Sequence, residues 1–454
     1  MMRFLTDGDW YRAVWRWHFY AGLFCLPFVI WLAATGAIYL FKPQIESLID
    51  RPTRGLAFEA APAAPSEIAA AAIAAVPGSV LHRYVLPDDT RDAVQVIVGA
   101  GARETRVFVH PASREILKAV DEEERFMRKI FLLHGELYAG RWGSTLVEIA
   151  ASWTIVMLLT GLFLWWPRRG AKFAGTVYPR LSAGGRVFWR DLHAVIGLWV
   201  SFAAIFLIFS GLPWAQNWGR YLNLVREVTN TAGVRDWSTG SDEEAVRRAA
   251  TDANLRAMLD PHAGHHGMGM SHIPGAPAPL NAIVPAAFAL HLSAPVEISP
   301  PTGADGLWLV QSNAGDRTVR ETVRMDAAGS VARRETFADR HWIDRVVGFG
   351  ISVHEGYYFG LMNQLVSLFA ALGLIVLAVS AAVMWWRRRP ARVLGAPPPG
   401  RDLHAGRIIV GPAVLLAVLL PSFGATAVIM LIVEKTLLRG SRAGAWLGLA
   451  AREV

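Results

Sequence analysis

Five apolar runs dominate the chain: Phe19–Phe41, Leu146–Trp166, Ala194–Trp214, Leu361–Trp386 and Ile408–Val433. Each reaches the ~20 residues that a helix needs to cross the apolar core of a bilayer. The first is longer than the apolar part of a signal peptide and lacks a small-residue cleavage site, so it reads as an uncleaved anchor. Between the runs the period changes. Ser66–Val76 is an alanine-rich helix pattern stopped by Pro77-Gly78, and Val80–Val85, Ala93–Val98 and Thr105–Val109 follow as strands. The turn His110-Pro111-Ala112-Ser113 leads to a short strand, Glu115–Val120. Further on, Gly306–Gln311 and Glu321–Met325 alternate as strands do, and Asp326-Ala327-Ala328-Gly329 is a turn. The pattern predicts an α-helical integral membrane bundle of five spans with two small α+β domains, at 42–145 and 215–360.

Composition supports a membrane protein. Of 454 residues 53% are hydrophobic and only 18% charged, against about a quarter charged in soluble domains. Charge then sets orientation. The connector 167–193 carries Arg168, Arg169, Lys172, Arg180, Arg186 and Arg190, and the connector 387–407 carries six arginines against Asp402 alone. Short basic loops stay in the cytoplasm. The N-terminal segment 1–18, with Arg3, Arg12 and Arg16, then lies there too, and the two α+β domains lie outside. The net charge of +8 is a topology signal and gives no reason to expect nucleic acid as a partner. The single cysteine, Cys25, excludes an intrachain disulfide, a Cys-x-x-Cys-His haem attachment and an iron–sulfur cluster held by this chain alone.

The chain also repeats. A shift of 220 lays His134–Arg169 on His354–Arg389 without a gap, matching His134/His354, Tyr138/Tyr358, Gly140/Gly360 and Trp165-Trp166/Trp385-Trp386. A shift of 175 lays His18 on His193, Gly22 on Gly197 and Thr35-Gly36 on Ser210-Gly211. Helix–domain–helix occurs twice, followed by a fifth helix (408–433) and a tail (434–454). Both copies enter from the same side, which makes a parallel repeat.

Four of the thirteen histidines occupy duplicated positions. His18 and His193 fall at the cytoplasmic ends of the first and third spans, and His134 and His354 where the chain re-enters from outside. A single membrane histidine can be a helix–helix hydrogen-bonding partner. Four, paired by the repeat and placed on opposite faces, point to function. Without thiolates, two histidines per site suit a b-type haem held at both axial positions, with arginines free for its propionates. Zinc would recruit a third or fourth ligand, and none occupies a matching position. Gly22 and Gly36 share the face of His18, and Gly197 and Gly211 that of His193. Such a lane admits a flat ring or a closely packed helix. From His134 to Trp166 is 32 residues, about 48 Å as one helix against a core of about 30 Å. The outer histidines therefore lie at or above the interface, or the helix breaks at Gly140 and Gly360.

Other candidates stay open. His404, in a repeat of the Arg190-Asp191-Leu192-His193 tetrapeptide, is an alternative inner-face ligand or a loop histidine. Glu148 relays protons or caps a turn, and Arg141 meets a propionate or anchors its helix. His291 and His341 read as ordinary domain residues. The loop 260–279 holds His262, His265, His266 and His272 with Met268 and Met270, a donor set that suits copper. Its plain alternative is a polar linker.

At these residues the chain resembles the PepSY-associated transmembrane family, bacterial inner-membrane proteins that include haem-containing siderophore (ferric) reductases. The resemblance rests on Trp17-His18 with Gly22-Leu23 and Thr35-Gly36, and on Leu133-His134-Gly135 through Thr160-Gly161-Leu162 to Trp165-Trp166-Pro167-Arg168. It continues in Asp191-Leu192-His193 through Gly211, His354-Glu355-Gly356 through Trp385-Trp386-Arg387, and Leu420-Pro421-Ser422-Phe423-Gly424-Ala425. Val107-Phe108-Val109-His110-Pro111 is similar to the PepSY strand–turn pattern, with His110 where an acidic residue is expected; Met325-Asp326 keeps the acid. The resemblance implies two PepSY-like outer domains, two b haems, and electron passage from a cytoplasmic or quinol donor to a ferric siderophore or other metal chelate outside. The pairing of His18 with His193 and of His134 with His354 follows from topology. Two further readings are a cupric reductase using the His/Met loop, and a non-enzymatic metal-binding or regulatory envelope protein.

Overall fold

The computed structural model describes residues 8–167, 173–231, 237–259, 277–397 and 404–449. Its helices and strands run α1 (Gly8–Tyr39), α2 (Lys42–Ile49), α3 (Pro65–Ala75), β1 (Val80–Val85), β2 (Val94–Ala100), β3 (Arg103–Val109), β4 (Ile116–Asp121), α4 (Phe126–Glu136), α5 (Gly140–Trp165) and α6 (Gly185–Gly211). They continue α7 (Gln216–Val228), α8 (Ser241–Leu259), α9 (Leu280–Ala289), β5 (Val296–Ser299), β6 (Trp308–Ser312), β7 (Glu321–Met325), β8 (Val331–Thr336), α10 (Trp342–His354), α11 (Gly360–Arg388), α12 (His404–Leu419), α13 (Pro421–Val433) and α14 (Arg442–Leu447). Two compact units result. A helical unit draws on Met1–Leu40, Leu133–Val225 and Met362–Val454, and a sheet unit on Phe41–Leu132 and Arg226–Leu361.

Among the described residues the helical unit has five helices long and apolar enough to cross a membrane: Tyr11–Tyr39, Gly140–Trp165, Gly185–Trp214, Gly360–Arg388 and Pro421–Leu438. Its core packs Cys25, Val29, Trp153, Leu420 and Phe423. Two corrections to the sequence reading matter. First, the helices of His18 and His193 start earlier than the apolar runs, at Gly8 and Gly185, so both rings lie more than two turns inside. Hydropathy stops at the arginines, but arginine stems run along apolar surface while their heads reach water. Second, Ile408–Val433 is not one helix. It breaks at Leu420 (φ −129°, ψ 79°) before Pro421, because a proline pushes the preceding residue out of the helical region and lacks a donor of its own.

The break required by length is present in both copies. Leu137, Tyr138 and Gly140 take φ of 49°, 59° and 51° between α4 and α5, and Gly356 and Gly360 take 82° and 58° between α10 and α11.

The sheet unit replaces the two separate outer domains of the sequence reading with one eight-stranded sheet, ordered β4-β3-β2-β1-β5-β6-β7-β8. Two antiparallel meanders join where β1 pairs antiparallel with β5, through Tyr84↔Ile298 and Val85↔Glu297. Helix α3 precedes one meander and α9 the other. Together they bury Ile68, Ala72, Ile283 and Ala287 against Val96, Val107, Trp308 and Val323 of the sheet. Neither meander then needs a covered edge of its own at the junction.

Candidate functional site

His18 and His193 meet inside the helical unit. Their ring centres are 6.4 Å apart and their planes cross at 81°. Each ring is held from behind by a different helix. His18 Nδ1 donates to the Met157 carbonyl (3.0 Å) and reaches Thr160 Oγ1 (3.1 Å) on α5. His193 Nδ1 donates to the Leu377 carbonyl (3.1 Å) and reaches Ser380 Oγ (3.1 Å) on α11. A carbonyl only accepts, so both Nδ1 atoms carry a proton, and in the neutral rings both Nε2 atoms keep a lone pair. Gly161 leaves room for the first ring: a Cβ there would sit 3.1 Å from His18 Cε1.

Both rings line a cavity of about 920 Å³ together with Gly22, Gly197, Trp165 and Trp385, within the size range of cofactor sites. Of the glycines expected beside the histidines, Gly22 and Gly197 border this space, the first also against Met157 and the second against Leu377, whereas Gly36 packs on His134 and Gly211 does not line the cavity. Arg186, Arg190, Arg387 and Arg388 line the same cavity. Asp191, the acid beside His193, does not face a ligand. It is fully buried and gripped by Arg180 and Arg190, each at 2.6 Å. Trp165 and Trp385 each tie the chain that follows their helix, through Nε1 to the carbonyls of Thr176 (2.8 Å) and Leu394 (2.9 Å). Among the described residues no three His, Cys, Asp or Glu side chains converge as a metal site. The arrangement offers two facing neutral imidazoles and a basic rim.

The second predicted pair draws one histidine from each unit. His134 Nδ1 lies 3.0 Å from Thr35 Oγ1, and a Cβ on Gly36 would sit 3.1 Å from its Cε1. His354 is the last residue of α10 in the sheet unit. Glu148 is a cap: its buried carboxylate accepts from the backbone of Asn217 (2.8 Å) and Trp218 (3.2 Å) at the start of α7 and from the Ser422 hydroxyl at the start of α13. Carboxylates are favourable at helix N-termini. Arg141 lies over its neighbour Trp142, 5.2 Å from the ring centre. His341 caps α10 by accepting from Ile343 N, and His291 sits in a turn with φ 51°. The side chain of His404 and the whole of His262, His265, His266, Met268, Met270 and His272 lie outside the described residues.

In the sheet unit His110 does the work of the acid it replaces. Its Nδ1 accepts from the backbone of Ala112 (3.2 Å) and Ser113 (3.1 Å). Asp326 Oδ1 accepts from Ala328 and Ser330, both at 2.9 Å, in the other meander. A second histidine, His82, is buried with both nitrogens on carboxylates: Nδ1 to Glu104 (2.8 Å) and Nε2 to Asp252 (3.3 Å). Burial opposes the Glu104 charge, but the His82 bond and the Arg83 guanidinium, 2.6 Å away, outweigh it and hold the carboxyl at about 2.

The anchors of His18 and His193 were not read from sequence, although the repeat marks them: Met157/Leu377 and Thr160/Ser380 are each 220 apart.

Among the described residues, five helices able to span a membrane, four of them lining a histidine-bearing cavity, define a multi-pass membrane protein. The PepSY-associated TM region matches residues 15–388, so the chain belongs to that family. No curated relative matches it.

Proposed function

We propose that the protein is a transmembrane b-type haem reductase of the bacterial inner membrane, carrying electrons from an inner donor to a ferric siderophore or other ferric chelate outside. The observation that carries this reading is the His18–His193 pair. A metal bonded at about 2 Å to a nitrogen of each ring, with ring centres roughly 1 Å behind the nitrogens, puts those centres about 6 Å apart, and the observed separation is 6.4 Å. The chemistry of the donors agrees: two neutral imidazoles with Nε2 open, a cavity of about 920 Å³, and Arg186 and Arg387 on its rim for acidic side groups.

Bound there, haem supplies a one-electron Fe(III)/Fe(II) couple. The chain's own residues do the rest. His18 and His193 would hold the iron, and the Met157 and Leu377 carbonyls keep the Nδ1 protons in place. Arg186 and Arg387, exposed on the rim, neutralise propionates. Trp165 and Trp385 fix the wall against entering water. The donor loses one electron and the chelated Fe³⁺ gains it, which weakens the hold of oxygen-rich chelators; no side chain exchanges a proton with the substrate.

The finer features of the family fit the same reading. The mirror order of the sheet, with one helix before each meander, supports two PepSY-like halves made by duplication. The basic rim supports an N-terminus on the cytoplasmic side. A second haem is the expectation of the duplicated His134 and His354.

The test is haem per chain by pyridine haemochrome on protein purified after haem supplementation. Wild type returns two, with an α band that appears on dithionite and disappears when a ferric chelate is added. His193→Ala returns one fewer. A colourless wild-type protein overturns the proposal.

A further inference from the structure

We infer that Thr35, Thr160 and Ser380 are positioning residues whose hydroxyls, together with the Met157 and Leu377 carbonyls at His18 and His193, hold the Nδ1 protons of His134, His18 and His193, and so help decide which nitrogen His18 and His193 offer to metal. The inference rests on the haem reading for its consequences, though its geometry stands alone. In each case the hydroxyl proton is already committed to its own helix. Thr35 Oγ1 donates to the Trp31 carbonyl (2.8 Å), Thr160 Oγ1 to that of Val156 (2.8 Å) or Met157 (2.9 Å), and Ser380 Oγ to that of Leu377 (3.0 Å). A hydroxyl has one proton, so the oxygen facing the ring has only lone pairs left. The Nδ1 atoms at 3.0, 3.1 and 3.1 Å must therefore be donors. In the neutral rings of His18 and His193, Nε2 is then the atom left for a metal.

The neighbouring residue completes the cradle. Gly36 follows Thr35 and Gly161 follows Thr160, and a Cβ on either would stand 3.1 Å from Cε1 of the ring its hydroxyl holds. The Thr-Gly dipeptide thus seats an imidazole flat against a helix and orients its proton in the same step. In the third case Ala381 follows Ser380. Hydrogen bonding at Nδ1–H strengthens the imidazole as a donor, and partners of this kind fix ring orientation and ligand basicity. A stronger donor favours the ferric over the ferrous ion. Losing the hydroxyl raises the reduction potential and loosens the haem.

Thr160→Val keeps the side-chain shape and removes the hydroxyl; Ser380→Ala does the same for His193. Each is expected to shift the midpoint potential upward and to weaken haem binding about tenfold, while Thr160→Ser and Ser380→Thr return both to wild type. Unchanged potential and retention in both deletions overturn the inference. A second readout does not need the cofactor. In ¹⁵N-histidine-labelled, haem-free protein in detergent, His18, His134 and His193 all read as Nδ1–H, and an Nε2–H ring at any of the three also overturns it. If the wild-type protein carries no haem, the functional reading fails while the ¹⁵N measurement still decides this one.

Discussion

Histidines inside the two units are treated in opposite ways. In the sheet unit both nitrogens of His82 are used up, one on Glu104 and one on Asp252, and its ring is pressed so closely on Gly99 that a Cβ there would sit 2.1 Å away. In the helical unit His18 and His193 use one nitrogen each on a carbonyl and a hydroxyl and turn the other toward a cavity. The surroundings differ to match. His82 stands among Glu104, Asp252, Arg83 and Arg256, charges that need one another, because a buried ion left alone is costly. The paired rings stand among neutral oxygens, which hold a proton in place without putting a charge into the membrane. What sets the half-buried pair apart in chemistry is the nitrogen that each ring leaves without a partner.

The comparison breaks most visibly at His82. His82→Ala leaves two buried carboxylates short of a donor and opens a hole above Gly99, and should destabilise the sheet unit by about 3 kcal/mol. Urea unfolding followed by strand circular dichroism measures this, and a loss below about 1 kcal/mol would put His82 with the open histidines after all. Next in size is an acid limb. Glu104 sits at about 2 in the fold against an ordinary 4.5. A depressed carboxyl stabilises the fold above its unfolded value, and that stability drains as pH falls from about 4.5 toward 2. Glu104→Gln should flatten this limb, while His193→Ala should leave it as in wild type. A wild-type acid limb in Glu104→Gln would remove the carboxylate network from the account.

How much of this was legible in advance depended on the distance over which residues act. Helices and strands follow local period, so β1 and β7 run over the residues that alternation predicted, and four of the five spans were placed correctly but begin one to nine residues earlier than the apolar runs. The kink at Leu420 was local too, written in Leu-Pro, but the apolar pattern continues across it and masks the backbone rule. The histidine pair was legible because duplication printed it twice. Its anchors lie 139 and 184 residues away, and no periodicity reports a contact at that range. The β1–β5 junction was hidden for the same reason: both are plain apolar strands, and nothing in either says that its neighbour is in the other half. His82 was passed over as one histidine in a strand, since its partners come from β3 and from α8.

The smallest effect sharpens the rule at the surface. His110 and Asp326 hold equivalent turns by accepting two backbone N–H groups each. For His110 this uses the Nδ1 lone pair, so in the neutral ring the proton sits on Nε2, the reverse of His18 and His193. Because only an acceptor is needed, His110→Asp should fold with stability within about 0.5 kcal/mol of wild type. His110→Ala loses the acceptor and the edge contact with Phe58, whose ring centre is 5.3 Å away, and should cost about 1 kcal/mol. Urea midpoints of the three proteins order them. Should Asp prove as costly as Ala, the ring's packing rather than its lone pair holds the turn, and counting nitrogens would fail at the one histidine where an acid offers a direct substitute.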